Sequence, residues 1–388
     1  MSADNQQHVR KLVTVRRISR IEKDKKRKLK FAHVDGWTVY VGPKRWQAGD
    51  LVVFFEIDSF LPKSDGRYWE LIAYDKTVFR GQEGYRVKSR RIGGNKVSPG
   101  LIFRLTDFPE IKEVWDKTVA ALGEEEGAKA AMAMSFEDVL GVKKYIAELD
   151  GDTPFASLGP PPCFIHQPAW ERAQNIASLF SPATRAAATT YQITEKLNGW
   201  SMSVYWVRRD SRWRQRLTEI PPACKGVMEP EGGRRVGVCT RNQDWLANEG
   251  NPLWKVALEM DLPGKVRRIG GDVAVQGEFV GSSVMANTMG FAEGEHTFRV
   301  FAIWDIERQT YLSVAETMEI CERLDLPHTP VVRCCRLDEF ASDLEDLVRK
   351  ADGVGMNERI REGLVFKTMD GQRQFKVISN QWLIQRGE

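Results

Sequence analysis

The sequence is poor in histidine, lacks close cysteine pairs of the metal-binding kind and contains no long apolar run. Its 388 residues include 5 histidines and 6 cysteines, none in a Cys-x-x-Cys arrangement. We therefore expect structural, reduced cysteines and a cytoplasmic or nuclear protein. The longest apolar runs, such as Leu51–Phe55, are far too short to cross a bilayer, and the polar residues 1–8 lack the apolar core of a secretory signal. We expect no membrane partner.

The composition is that of an ordered protein with a basic N-terminal region. Hydrophobic residues make up 42% of the chain and charged residues 28%, and the length suggests two or more domains. The net charge is only +4, yet residues 8–30 contain eleven lysines and arginines against two acidic residues. Such clustering suits a phosphate backbone. For residues 25–30, a solvated basic face or a localisation signal is an equal alternative.

Three segments differ in their residue patterns, and together they predict an α+β fold. Residues 1–105 contain short strand-like runs separated by turns such as Asp35-Gly36, which predicts a small OB-like barrel that binds nucleic acid; an SH3-like barrel is the alternative. Residues 106–162 have helical periodicity and end in a proline-rich linker, with Ser135 as the predicted N-cap of a helix. Residues 163–388 predict a catalytic domain of antiparallel sheets flanked by helices.

Six short motifs follow one another in this last segment, and most lie in strand-like runs. They are Glu195-Lys196-Leu197-Asn198-Gly199, Cys239-Thr240-Arg241-Asn242, Gln276-Gly277-Glu278-Phe279-Val280-Gly281, Arg299-Val300-Phe301-Ala302-Ile303-Trp304, Glu362-Gly363-Leu364-Val365-Phe366-Lys367 and Phe375-Lys376-Val377-Ile378-Ser379-Asn380. A single Lys-x-x-Gly turn is common and is usually a surface hairpin. The ordered series is more specific, and it indicates chemistry on a nucleotide.

Lys196 is the candidate nucleophile, because its turn lies between two strand-like runs and ends at Gly199, which lets the backbone approach a nucleotide. An uncharged lysine amine can attack the α-phosphate of a nucleotide and form a lysyl-AMP adduct. A free lysine has a pKa of about 10.4 and is mostly protonated at neutral pH. Nearby cations from Lys367, Lys376 and a bound metal would favour its neutral form.

Two glutamates could hold a divalent cation beside this lysine. Glu278 and Glu362 lie in separate strand-like segments, and carboxylates are suitable ligands for Mg²⁺ or Mn²⁺. Glu278 could equally bind the ribose. Isolated glutamates in strands are otherwise edge or rim residues.

Further side chains are candidates for binding the rest of ATP. Lys367 and Lys376 could contact the α-phosphate, and Arg241 offers a planar fork for phosphate. Phe301 could stack on one face of the adenine with Val365 on the other.

The residue directly before the nucleophile is a candidate for recognising the base. Glu195 could accept a hydrogen bond from the adenine amino group, which would favour ATP over GTP. Trp304 is a second stacking candidate, but its distance of three residues from Phe301 predicts that it faces the opposite side of the strand.

The motif series resembles that of the lysine-adenylating nucleotidyltransferases. N-terminal stretches such as Gly49–Ser59 and Leu140–Tyr145, together with Phe298–Phe301, extend the resemblance to ATP-dependent RNA ligases of the Deinococcus type. This resemblance implies adenylylation of Lys196, transfer of AMP to an RNA 5′-phosphate and attack by a 3′-hydroxyl. It also implies ATP and Mg²⁺ or Mn²⁺ as cofactors, nicked duplex RNA or an RNA/DNA hybrid as the partner, a role in RNA repair, and a monomer.

Several positions depart from the family pattern, and other functions share the chemistry. Asn198 and Trp200 stand where many ligases have an aspartate and a small polar residue, and Gln374 where many have a lysine. An mRNA-capping guanylyltransferase or a DNA ligase would use the same lysine chemistry, but these usually carry the barrel after the catalytic domain. A non-catalytic RNA-binding protein is the third alternative.

Overall fold

A computed structural model describes residues 11–386, except residues 25–28, 43–45, 69–75, 93–95, 146–154, 169, 177 and 231. Part of the basic N-terminal cluster and part of the predicted linker therefore lie outside the described residues. No helix in the described part of the chain is long and apolar enough to cross a membrane.

Short antiparallel strands form the N-terminal part, as the sequence predicts. The strands are β1 (Val13–Arg17), β2 (Arg20–Asp24), β3 (Leu29–Val34), β4 (Trp37–Val41), β5 (Leu51–Glu56), β6 (Ser59–Pro62), β7 (Lys76–Phe79), β8 (Gln82–Arg86), β9 (Arg90–Ile92), β10 (Lys96–Ser98) and β11 (Gly100–Arg104). They pair in the orders β1-β5-β11, β2-β3-β4 and β10-β9. A further sheet joins β6, β8 and β7 to a short later strand, β12 (Lys143–Lys144).

Helices follow these strands and pack on them. Helix α1 spans Pro109–Leu122 and α2 spans Glu124–Met132. Buried residues of this segment, including Ile111 and Trp115, share one apolar cluster with the strand residues Val13 and Phe55. The helix predicted from Ser135 is wrong, because residues 137–141 form turns that lead into β12.

The C-terminal part contains two larger sheets flanked by helices. Its strands are β13 (Ser157–Gly159), β14 (Glu171–Arg172), β15 (Thr190–Lys196), β16 (Trp200–Val207), β17 (Arg235–Cys239), β18 (Asp244–Trp245), β19 (Val273–Gly281), β20 (His296–Asp305), β21 (Thr310–Tyr311), β22 (Val331–Arg336), β23 (Gly363–Thr368) and β24 (Gln374–Ile378). Its helices are α3 (Pro182–Ala186), α4 (Lys225–Met228), α5 (Pro252–Glu259), α6 (Leu262–Ile269), α7 (Val314–Arg323), α8 (Leu337–Phe340), α9 (Leu344–Ala351) and α10 (Asn380–Arg386).

One sheet has the order β13-β18-β17-β16-β19-β20-β21 and the other the order β14-β24-β23-β15-β22. All pairs are antiparallel except that of β14 with β24. The predicted α+β fold of antiparallel sheets flanked by helices is therefore confirmed.

Alternation along the strands separates an outer apolar face from an inner face in each sheet. In the five-stranded sheet, Ile193, Leu364 and Val377 point to a cluster that includes residues of α9. Lys196, Lys367 and Lys376 occupy alternate positions on the same strands and so face the other side. The Lys367 amine reaches the main-chain oxygen of Phe301 on β20 of the seven-stranded sheet. The inner faces of the two sheets thus meet at this point.

The N-terminal strands dock on the five-stranded sheet through buried charge. Arg172 Nε and Glu56 Oε1 form an ion pair at 2.9 Å, although these two atoms lack the alignment of a hydrogen bond, and both side chains are nearly inaccessible. Asn175 Nδ2 donates to Glu56 Oε2 at 3.0 Å. Elsewhere, Val97 packs against Trp382 of α10. The docking therefore involves both β14, next to β24, and the C-terminal helix.

Candidate active site

Lys196 is the last residue of β15 and pairs with Gly363 at the start of β23. This register brings it beside Glu362, the residue before β23. Lys196 Nζ donates to Glu362 Oε2 at 2.7 Å, and the two side chains are 19% and 11% exposed. The predicted nucleophile and one predicted metal ligand are therefore in direct contact, at a position that is sheltered but open to solvent.

Glu278 approaches the same turn from β19. The Gly199 N–H donates to Glu278 Oε1 at 3.2 Å, and an added Cβ at Gly199 would lie 2.3 Å from the main-chain oxygen of Phe279. Only a residue without a side chain fits this close approach. Burial raises the pKa of Glu278 to about 7, while the charge of Lys196 opposes this shift and that of Glu362 adds to it.

The two glutamates suit a metal that also binds substrate. Among the described residues, no group of three or more histidine, cysteine, aspartate or glutamate side chains forms a ready-made metal cage. Glu278 and Glu362 nevertheless interact electrostatically beside Lys196. Mg²⁺ commonly binds through one or two carboxylates, with water and phosphate oxygens completing its shell. The donor set therefore fits a divalent cation shared with a nucleotide.

Glu195, the residue before Lys196, lines the same cleft. Its carboxylate accepts the Met356 N–H, at 3.1 Å to Oε1 and 3.0 Å to Oε2. Burial raises the pKa of Glu195, against the Met356 hydrogen bond and the positive charges of Arg361 and Arg299. The carboxylate of Glu195 is thus hydrogen-bonded to the main chain of Met356, and its predicted role in recognising adenine stays a prediction.

Lys367 and Lys376 share the inner face of the sheet but differ in surroundings. Lys367 is 6% exposed, and its amine donates to the oxygen of Phe301 between the sheets. Burial lowers the pKa of Lys367 to about 8. Lys376 is half-buried on β24, paired with Val365 on one side and with Arg172 on the other.

The expected direction of Trp304 is wrong, and a bulge in β20 explains why. The pairing of β19 with β20 shifts register between Gln276 and Gly277, which leaves Phe301 as an extra residue. Phe301 and Trp304 therefore join the same apolar cluster. The Phe301 ring packs edge-on against Trp170, with ring centroids 5.0 Å apart. A period-two reading of the strand has no means of locating such a bulge.

Arg241 contributes to the site electrostatically. Its Nη2 donates to the main-chain oxygen of Pro168 at 3.1 Å, and its charge lowers the pKa of Glu278 against the effect of burial. The predicted phosphate fork therefore lies near the candidate metal ligands.

Several residues of the cleft around Lys196 escaped sequence reasoning. They are Thr288, Met289, Met356, Arg359, Arg361 and Trp382. Arg361 directly precedes the Glu362 motif and Arg359 lies two positions earlier, so their nearness to this motif was an available signal. The other four belong to no motif, and only the folded chain brings them to Lys196.

In this two-sheet domain a lysine is paired with a carboxylate, a half-buried glutamate lies beside it, and further lysines line the inner face. Such an arrangement is suited to nucleotidyl transfer. The fold and these side chains therefore define the class of the catalytic domain, which is that of nucleotidyl-transferring domains.

Comparison with known proteins identifies the two parts of the chain. Residues 189–378 match the RNA ligase family, and residues 12–105 match an OB-fold domain. No curated protein sequence matches the chain significantly. The chain is thus an RNA ligase enzyme with an OB-fold domain before its ligase domain, which confirms the predicted barrel type and the predicted enzyme class.

Solved structures of an RNA ligase from Naegleria gruberi are similar over almost the whole length. A variant with AMP and Mn is 27% identical, with a TM-score of 0.76, and the match covers 98% of this chain and 100% of that one. A second variant, in the apo form, has a TM-score of 0.77 at the same identity and coverage. A third, with ATP and Mn, is 27% identical with a TM-score of 0.76, covering 97% and 100% of the two chains.

Proposed function

We propose that this chain is an ATP-dependent RNA ligase that seals nicks with 3′-hydroxyl and 5′-phosphate ends in duplex RNA or RNA/DNA hybrids. The contact between Lys196 and Glu362 is the observation that carries the proposal, because it sets a nucleophile beside a metal-binding carboxylate. The Naegleria ligase structures with ATP, AMP and Mn support the choice of nucleotide and metal. A role in RNA repair and kinship with the Deinococcus type belong to the same proposal.

In the first step, the uncharged Lys196 amine attacks the α-phosphorus of ATP. A nitrogen–phosphorus bond forms and the bond to the β-phosphate oxygen breaks, which releases pyrophosphate and leaves lysyl-AMP. The lysine ammonium must first lose a proton, and Glu362 Oε2 lies within hydrogen-bond distance to accept it.

In the later steps, AMP moves from Lys196 to the RNA 5′-phosphate, and the 3′-hydroxyl then attacks that phosphate and displaces AMP. The OB-fold domain would bind the duplex through its basic surface. Both steps need the RNA end to be placed beside the cleft, which is the kind of positioning a docked nucleic-acid-binding domain provides.

The remaining side chains would bind and orient the nucleotide. Glu278 and Glu362 would hold Mg²⁺ or Mn²⁺, which would neutralise phosphate charge when bound. Lys367, Lys376 and Arg241 would contact phosphate.

The nucleoside would lie against the other candidate residues. Phe301 and Val365 would enclose the adenine, Glu195 would accept its amino group, and Gly199 would let the turn approach closely. We further propose that the chain acts as a monomer in the cytoplasm or nucleus.

Incubation with α-labelled ATP or GTP and Mg²⁺ or Mn²⁺ tests the first step. We expect label from ATP on the wild-type protein and on a control variant of an exposed lysine, Lys255→Ala, but none on Lys196→Ala. Label from GTP alone would indicate a capping guanylyltransferase, and no label from either nucleotide would indicate a non-catalytic RNA-binding protein.

Sealing assays test the rest of the proposal. Nicked duplexes with RNA or DNA placed separately at the 3′-end, the 5′-end and the template strand should be sealed only where the ends are RNA. Preferential sealing of DNA ends would contradict the proposed substrate while leaving the lysine chemistry in place.

A further inference from the structure

Two unusual turns pack against the Lys196 turn. In the first, Met285, Ala286 and Asn287 have φ angles of 48°, 53° and 51°; in the second, Asn357 and Glu358 have φ angles of 51° and 55°. Residues with a side chain avoid this left-handed region, and a run of three is rarer still. Such backbone persists where the surrounding structure enforces it, often at functional sites.

Hydrogen bonds link these turns to both sides of the nucleophile. Asn198 Nδ2 donates to Thr288 Oγ1 at 2.8 Å. Asn357 Nδ2 donates to the main-chain oxygen of Met289 at 3.0 Å, and the Met356 N–H donates to Glu195. Thr288 and Met289 are neighbours in sequence, as are Met356 and Asn357. The bonds therefore form a closed ring around residues 195–198, which we call the turn clamp.

Apolar packing fills the centre of this ring. Leu197, between Lys196 and Asn198, is buried with Val280, Met289 and Phe291, and Met356 packs against the same cluster. Met289 follows the first left-handed turn and Met356 precedes the second, and both pack around Leu197. The side chain that follows the nucleophile is fixed by the same two turns that bond to its flanking residues.

We propose that the turn clamp positions Lys196 for adenylylation and that Asn198, Thr288 and Asn357 are positioning residues. This inference rests on the proposed function, in which Lys196 is the nucleophile. It gives Asn198 a role that suits an amide, because the side chain donates a hydrogen bond and adds no negative charge next to Glu278 and Glu362. The left-handed turns are explained as well, since they bring Thr288 and Met356 within reach of the turn.

The expected consequence is a loss of rate rather than of nucleotide binding. The clamp bonds to residues on either side of Lys196, so its removal lets the amine drift from its line of attack. Misplacement of a reacting group by about 1 Å can cost on the order of 100-fold in rate. We expect Asn198→Ala and Thr288→Val to slow adenylylation roughly 10- to 100-fold, with little change in the apparent KM for ATP.

Single-turnover labelling with ATP over a range of concentrations tests this. Thr288→Ser keeps the hydroxyl and should retain most of the rate, and the double variant should be no slower than the slower single variant, because both changes remove one bond. Asn357→Gly relieves the left-handed backbone yet removes the amide, so it should also be slow. Asn248→Ala, an exposed loop asparagine outside the cleft, is the control.

The outcomes separate this inference from the proposed function. An unlabelled wild-type protein would refute the function itself. A labelled wild type with single variants that react at the same rate would refute only the clamp. An effect confined to KM, or additive losses in the double variant, would also overturn it. If Thr288→Val fails to fold, Asn357→Gly decides the question, since the clamp predicts a slow variant and a purely structural role predicts a normal rate for the folded fraction.

Discussion

At the scale of single residues, the interior of the ligase domain holds an acid that water would normally solvate. Asp244 on β18 is 3% exposed, and the Tyr205 hydroxyl donates to its Oδ2 at 2.8 Å. Burial raises the pKa of Asp244 to about 7, although the Tyr205 hydrogen bond and the charge of Arg235 work against this rise. The neutral acid is therefore favoured in the folded protein over most of the acidic range.

This environment gives a prediction about pH. The unfolded chain releases the Asp244 proton near pH 4, whereas the folded protein keeps it until about pH 7. The stabilising contribution is fully present below pH 4 and is lost as the pH rises to 7, by up to about 1.4 kcal/mol per pH unit. Asp244→Asn removes this dependence, so its stability relative to wild type should improve steadily from pH 4 to 7.

Urea unfolding at pH 4.5, 5.5, 6.5 and 7.5, values spaced about the cited pKa, measures this difference. Asp325→Asn, at a fully exposed acid, is the matched control. A stability difference between wild type and Asp244→Asn that does not change with pH would contradict the assignment.

Single residues also show the limit of reading function from a sequence. Lys196 and Glu362 could be named because each belongs to a short motif, and the structure brings them into contact. Thr288 could not, because its link to the site is one hydrogen bond to Asn198 across ninety positions of sequence. Local patterns carry no information about such a partner.

At the scale of elements, the hairpin that presents Lys196 depends on a close approach of its glycine, Gly199, to strand β19. The strand-like runs on either side of the turn predict β15 and β16. The glycine between them packs against β19, where an added Cβ would lie 2.3 Å from the Phe279 oxygen. Because that oxygen is main chain, relief requires a shift of a whole strand. We expect Gly199→Ala to cost about 1–3 kcal/mol and to abolish detectable adenylylation.

Gly226→Ala is a control for the general effect of replacing a glycine by alanine. Gly226 lies in α4, and an added Cβ there meets nothing within 4 Å. The change should leave adenylylation intact and stabilise the protein by about 0.5–1 kcal/mol, because alanine is the better helix former. Thermal unfolding and labelling of both variants test the pair, and a normal rate in Gly199→Ala would show that the approach is not required.

Elements also show where strand periodicity fails. The bulge at Phe301 turns that ring to the same side as Trp304, because one extra residue in β20 reverses the alternation. Turns also stand after Ser135, where the sequence predicts a helix, because tertiary packing outweighs a local capping pattern.

At the scale of the whole molecule, the order of the two domains could be predicted from sequence but their docking could not. The buried pair of Glu56 and Arg172 joins a strand of the OB-fold domain to β14, which runs beside Lys376 on β24. Neither residue lies in a nucleotide-binding motif, and a charged pair far apart in sequence leaves no periodic signal. The predicted segment 106–162 likewise gave no hint that its helices share the core of the strands before them.

The last prediction concerns the buried ion pair of Glu56 and Arg172. Removing one partner of a buried ion pair takes away the opposite charge that offsets the desolvation of the other, which typically costs about 3–5 kcal/mol. Glu56→Ala should therefore lower the unfolding temperature markedly. It should also weaken nick sealing more than lysine labelling, since in the proposed function the OB-fold domain holds the duplex over the cleft.

Glu345→Ala is the matched control. Glu345 pairs with Arg20 across the same two parts of the chain at 2.9 Å but on the surface, where the Arg20 side chain is 53% exposed and that of Glu345 is 64% exposed. Exposed pairs contribute about 0–1 kcal/mol, so this variant should resemble wild type in calorimetry and in both assays. Equal losses of sealing and labelling in Glu56→Ala would instead assign the pair to the folding of the ligase domain, through β14 and β24, rather than to the placement of RNA.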